Sequence, residues 1–95
     1  MHHEYIEKNM PEEMRMLREG LIKMGIPYED DTNFCGEMTI YKTYFTHNGN
    51  ECSVICGKTT DGGIKGYLET TINNHDPIGW MSAKAIILGI ERGII

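Results

Sequence analysis

The stretch MTIYKTYFTHNGNECSVICG, running from Met38 to Gly57, decides the fold. Two runs rich in Thr, Tyr, Val and Ile flank Asn48-Gly49, and both turn residues tolerate the positive φ that a type I′ turn demands. The stretch therefore reads as a β-hairpin whose register the turn fixes. Phe45 is expected opposite Cys52, Thr43 opposite Val54 and Tyr41 opposite Cys56. The other face pairs Thr46 with Glu51, Tyr44 with Ser53 and Lys42 with Ile55, and brings Ile40 near Gly57. Side chains alternate between faces, so a slip of one residue would exchange the two sets. The face with Phe45, Val54, Cys52 and Cys56 is the core candidate. The face with Ile40, Tyr44 and Ile55 is mixed with polar residues. A lone hairpin is marginal in water, so helices or a third strand must cover the core face.

Upstream, Asn9-Met10-Pro11-Glu12 reads as a helix start, with Asn9 as the cap, Pro11 in the first turn and Glu12 and Glu13 near the positive helix end. Met10, Met14, Leu17, Leu21 and Met24 follow at four-and-three spacing and form one apolar stripe. Met16 and Ile22 lie off it. Gly20 costs about 1 kcal/mol relative to Ala inside a helix, which a close approach by a neighbour would offset. Gly25 and Pro27 end the helix. Residues 1–8 read as a polar lead-in, and Tyr28 to Gly36 as a connection into the hairpin.

Downstream, the segment Gly57 to Gly66 holds four glycines in ten residues. Tyr67 to Ile72 reads as a third strand with Leu68, Thr70 and Ile72 on one face, and Asn73 to Pro77 as a turn cluster. Ser82 is the expected cap of a final helix, with Met81 and Ile86 as a hydrophobic staple. Ile86, Ile87, Leu88, Ile90 and Ile94 make that helix apolar over most of its circumference, so it is deeply buried or meets another chain. The expected architecture is a single small α+β domain over residues 1–95: helix, three-stranded antiparallel sheet built on the central hairpin, C-terminal helix.

Composition narrows the function classes. A formal net charge of −5 argues against general nucleic-acid binding, which relies on clustered Lys and Arg. No apolar run approaches the ~20 residues that span a bilayer, and the N-terminus lacks a signal-peptide pattern, so a cytoplasmic protein is expected. Three cysteines do not make a disulfide framework. Cys52 and Cys56 lie four apart on one strand, ~13 Å at about 3.3 Å per residue, too far for a mutual disulfide or one zinc ion. They read as buried free thiols. The acidic run Glu29-Asp30-Asp31 reads as a solvated loop rather than a metal site.

Gly57-Lys58-Thr59 resembles the end of a phosphate-binding P-loop. The full pattern needs a glycine where this chain has Cys52, and a helix after the Thr, so nucleotide hydrolysis is rejected. Two readings of the loop remain: a flexible strand connection, the commoner fate of such segments, and an anion nest of consecutive backbone N–H groups supplemented by Lys58 and Lys65. His47 and His75 sit in turn-like segments without evident partners. Cys35, Cys52, Cys56 and Ser82 lie in no known nucleophile context, so no catalytic residue, metal site or cofactor is expected. Tyr41, Tyr44, Tyr67 and Trp80 suit packing, interfaces or stacking on a base, and packing is the commoner role.

Several segments together carry a resemblance: Leu17-Arg18 with Leu21 and Gly25, the Asn48-Gly49 hairpin with Ser53-Val54-Ile55, Gly57 opening the Gly-rich loop, Gly66-Tyr67-Leu68-Glu69, and Pro77-Ile78-Gly79-Trp80 before Ala83. The set resembles small proteins carried by phages and prophages of Gram-positive bacteria. The resemblance implies a setting rather than a chemistry: such proteins often act by binding a host component, including defence proteins and nucleotide signals. On this basis the expected function is a non-enzymatic binder that sequesters a nucleotide-derived signal as a homo-oligomer. Its site residues would be Lys58, Thr59, Thr60, Gly62, Gly63, Lys65, Tyr67 and Trp80. The alternative is an inhibitor or adaptor that binds a host protein through the exposed sheet face or an open strand edge.

Overall fold

The computed structural model describes residues 8–60 and 62–95. The expected lead-in therefore lies almost entirely outside the described residues, as does Asp61 of the Gly-rich segment. In chain order the elements are α1 (Glu12–Lys23), β1 (Tyr28–Asp30), β2 (Tyr41–His47), β3 (Asn50–Cys56), β4 (Leu68–Ile72), β5 (Ile78–Met81) and α2 (Ala83–Glu91), with short 3-10 turns at Gly36–Met38 and Gly63–Lys65.

The strands form one five-stranded antiparallel meander in the order β1-β2-β3-β4-β5. The class is α+β as expected, but the three-stranded sheet is incorrect: a strand was missed at each edge. β1 is only three residues long and enters the acidic run, so its composition looked like loop. It exists because Tyr28 pairs with Phe45 and Asp30 with Thr43 at the rim of the hairpin. β5 was hidden by a bulge. Leu68 faces Met81 and Thr70 faces Ile78, so three steps along β5 match two along β4. The extra residue destroys the alternation by which a strand is recognised.

The central hairpin has the expected register, from Tyr41 opposite Cys56 to His47 opposite Asn50. Asn48 (φ 52°) and Gly49 (φ 80°) supply the two left-handed turn residues. A second turn of the same kind, Asn73 (φ 51°) and Asn74 (φ 62°), follows β4, and His75 N–H closes it on Ile72 O at 3.0 Å.

The buried cluster lies between the helices and one sheet face. Met14, Leu17 and Leu21 of α1 meet Phe45, Val54 and Leu68 of the sheet and Ile86 of α2. Removing this much apolar side chain from water is the main favourable contribution to folding. At the helix crossing, a Cβ on Gly20 would sit 2.7 Å from Ile87 Cδ1, so the glycine admits the second helix. Both helices end alike. Gly25 N–H reaches Ile22 O and Ile26 N–H reaches Leu21 O; Gly93 N–H reaches Ile90 O and Ile94 N–H reaches Gly89 O. These are Schellman stops around left-handed glycines.

The N-cap position of α1 falls on Pro11, not on the expected Asn9. Ser82 caps α2 as expected, accepting from Ala85 N–H at 3.1 Å, and Glu13 of α1 reaches across to accept from Ala83 N–H at 2.8 Å. Of the apolar C-terminal pair, Ile94 is exposed and Ile95 is buried in the core.

The sheet's other face carries Ile40, Lys42, Tyr44, Ser53, Ile55 and Glu69, all half-buried, with neither helix over it. Both sheet edges are blunted against further strand addition: β1 by its shortness and its acidic side chains, β5 by its bulge.

Candidate functional site

The Gly-rich segment leaves β3 at Cys56 and closes on itself. Thr60 Oγ1 accepts from Gly57 N–H at 2.9 Å and donates to Gly57 O at 2.9 Å. Gly63 N–H continues the closure onto Thr60 O at 3.0 Å. A Cβ on Gly63 would fall 1.8 Å from Gly57 O, so only glycine fits where the two limbs meet. Gly62 and Gly66, both at φ 82°, bracket the 3-10 turn, and Tyr67 N–H returns to Gly62 O at 3.1 Å. The segment is a built loop.

That closure alters the expected anion nest. The N–H groups of Gly57, Thr60, Gly63, Lys65, Gly66 and Tyr67 are all used within the loop. Six such groups cannot line up on a ligand. Thr60 likewise uses its hydroxyl as the loop's staple. The positive charge at the loop is carried by the side chains of Lys58 and Lys65, which are both exposed.

β5 brings the other half of the site. Trp80 occupies the bulge with φ 57°, a left-handed conformation uncommon for a bulky residue and worth a penalty of the order of 1 kcal/mol. The conformation turns the residue onto the loop: a Cβ on Gly62 would meet Trp80 Cδ2 at 3.0 Å and Cα at 3.1 Å. The Tyr67 ring lies 5.8 Å from the Trp80 ring at a 42° tilt. Trp80 nevertheless remains 57% exposed. A large apolar ring held in a strained backbone and left in solvent is unusual in a packed domain, and such strain clusters at ligand clamps.

Lys58, Thr59, Thr60, Gly62, Lys65 and Trp80 line one cleft of about 580 Å³. Of the expected site residues, Gly63 instead lines a neighbouring cleft of about 680 Å³, and Tyr67 reaches the site through its contact with Trp80. Sequence reasoning missed Ile64 and Glu69, which also line the first cleft. Glu69 was concealed within the strand pattern. Ile64 is 78% exposed, and an isolated apolar residue between glycines gave no periodic signal. Lys58 Nζ lies 3.9 Å from Glu37 Oε2, a loose pair between exposed side chains.

Of the remaining candidates, His47 and Ser82 have structural roles, and Cys35 is an exposed free thiol. His47 Nδ1 lies 3.0 Å from the Ile95 carbonyl oxygen, and Ser82 is engaged as a helix cap. Cys52 and Cys56 are free buried thiols on the core face. Burial pushes the Cys52 thiol up, and that of Cys56 to about 11, so both are poor nucleophiles at neutral pH. His75 is exposed in its turn. Among the described residues no three His, Cys, Asp or Glu side chains are grouped to hold a metal, and no helix is long and apolar enough to cross a membrane.

The chain matches no protein-family model, no curated protein sequence and no solved structure.

Proposed function

We propose that the protein is a non-enzymatic binder that sequesters a small, phosphate-containing, nucleotide-derived molecule at the Gly-rich loop. One observation carries the reading: Lys58, Lys65 and the exposed indole of Trp80 converge on a single cleft of about 580 Å³. That volume lies within the range of small-molecule sites. Lysine supplies mobile point charge to phosphate, and stacking on an aromatic face is worth about 1–3 kcal/mol per base. Hydrogen bonds within the loop hold its described residues before any ligand arrives, which lowers the ordering cost of binding.

Assembly as a homo-oligomer is part of the proposal. Ile22 and Ile94 are 65% and 74% exposed, and a second copy would cover such surface. The resemblance to phage proteins supplies the setting: held in the cytoplasm of an infected host, the ligand would be a defence signal withdrawn from its receptor.

The test is mass measurement of the purified protein under native and then denaturing conditions. Calorimetry and thermal shift with AMP, cyclic AMP and ADP-ribose follow. We expect at least one of the three to bind. Trp80→Ala should weaken it by about tenfold or more, from the loss of one stacked base. No molecule released on denaturation, and no response to any of the three, overturns the reading.

The uncovered sheet face favours a second reading, an adaptor or inhibitor that docks a host protein over Ile40, Tyr44 and Ile55. A stoichiometric partner lost on Tyr44→Asp, with the fold intact, would support it.

A further inference from the structure

The loop separates two clefts, and the residues that divide them belong to both. Lys58 and Ile64 line the cleft of about 580 Å³ that contains Trp80. They also line the one of about 680 Å³ on the other side, with Asn9, Glu37, Thr39 and Tyr41. The two clefts therefore meet across a shared wall, where Lys58 supplies a cation to both.

The chemistry of the two sides differs. The Trp80 side offers an aromatic face and the second lysine, Lys65. The far side offers the Glu37 carboxylate, whose side chain is 87% exposed; Thr39 is buried with its hydroxyl held by Cys35 N–H and Gly36 O, and the Gly57, Gly63 and Gly66 N–H groups are closed within the loop. An ionised carboxylate accepts hydrogen bonds from sugar hydroxyls. The Glu37 carboxylate also repels a second anionic group at the far end.

We propose that the ligand is two-lobed: a base stacked on Trp80, a phosphate or diphosphate bridge at Lys58, and an uncharged, hydroxyl-rich second lobe beside Glu37. Nucleoside diphosphate sugars and ADP-ribose-like molecules have this layout; mononucleotides lack the second lobe. The inference rests on the proposed binding function and narrows its ligand class. Without ligand, Lys58 pairs loosely with Glu37 at 3.9 Å. When the bridge binds, the lysine turns to phosphate and the carboxylate is released to accept from hydroxyl groups.

Isothermal titration of the full chain with AMP, ADP and ADP-ribose tests this, using wild type, Glu37→Ala and Trp80→Ala. The Glu37 side chain is 87% exposed, so its removal leaves the fold intact, and an unchanged melting temperature checks that. ADP-ribose should bind about tenfold tighter than ADP, the effect of one well-placed additional lobe. Glu37→Ala should remove most of that advantage while leaving ADP no weaker. Trp80→Ala should weaken all three ligands alike. Equal affinity for ADP and ADP-ribose overturns the two-lobed ligand while the single-cleft function stands. So does an ADP-ribose preference that Glu37→Ala does not touch. If AMP, ADP and ADP-ribose all fail to bind, the underlying function fails and this inference with it.

Discussion

Two threonines flank Val54 on the core face, Thr43 on β2 and Thr70 on β4, and they divide the sheet into unlike halves. Both are fully buried. Thr43 is saturated: its hydroxyl accepts from Arg18 Nε at 2.7 Å and lies 3.1 Å from Met14 Sδ. Arg18 is itself 8% exposed, donates to Lys42 O at 3.0 Å and Asp30 Oδ1 at 3.1 Å, and stands 5.3 Å from the centre of the Tyr28 ring. Among the described residues the Thr70 hydroxyl has no hydrogen-bond partner. Its half of the sheet also holds the bulge and the left-handed Trp80. Polar groups are satisfied where they hold the fold. The strained Trp80 and the Thr70 hydroxyl both lie on the side that carries the candidate cleft.

Breaking the saturated half should have the largest effect. Arg18→Ala leaves Thr43 and Lys42 O short of a buried donor and Asp30 without its cation. Loss of one member of a buried pair costs about 3–5 kcal/mol, and we expect the lower end because Asp30 is half in solvent. Urea denaturation measures this, and Lys58→Ala, which removes an exposed side chain with one loose pair to Glu37, should stay within about 0.5 kcal/mol of wild type. A similar loss from both would end the distinction between the halves. The threonines supply a sharper pair. Thr43→Val should cost about 1–2 kcal/mol because it orphans Arg18 Nε, whereas Thr70→Val should gain about 1 kcal/mol by removing an unpaired hydroxyl of the same shape. Losses from both valines would mean that Thr70 is satisfied in solution.

The saturated half was partly readable in the sequence, and the strained half much less so. The Asn48-Gly49 turn states its own geometry, and with it the register of β2 and β3 and the identity of the core face. The α1 stripe gave Met14, Leu17 and Leu21, although Met24 at its end is 36% exposed. The edge strands were invisible for two different reasons. The Arg18–Asp30 contact that anchors β1 spans twelve positions and belongs to no local pattern. The extra residue in β5 erased the two-residue period. At the site, glycine density marked the loop, but only folding shows that its N–H groups are turned inward. Trp80 could be read as an anchor for the turn before α2; that its ring lies over Gly62 depends on the bulge.

Smaller changes probe the exchange between stability and binding on the strained half. Asn tolerates the left-handed region, so Trp80→Asn should relieve about 1 kcal/mol of backbone strain. It also loses the contact with Tyr67. The two effects should leave the denaturation midpoint within about 0.5 kcal/mol of wild type. Binding of the best nucleotide probe should fall by about tenfold or more. A variant that unfolds would show the indole to be a structural anchor first.

The smallest effect belongs to Asp30. Burial raises its pKa, but the hydrogen bonds from Arg18 and from the Thr32 hydroxyl and N–H outweigh this, and the folded value lies below the ordinary 3.8. The sign follows by linkage. The unfolded state binds the proton more readily, so ionised Asp30 contributes stability fully above the unfolded value and loses it as pH falls through the lowered folded value. Asp30→Asn cannot titrate, so the stability difference between wild type and variant isolates this carboxylate from the others. That difference should be a few tenths of a kcal/mol near about pH 7, given the half-exposed side chain, and should shrink toward zero as pH falls through the lowered folded value. A difference that grows on acidification would mean that the carboxylate is held against its burial cost rather than by its partners. The Arg18 node would then owe its strength to Thr43 and Lys42 O alone.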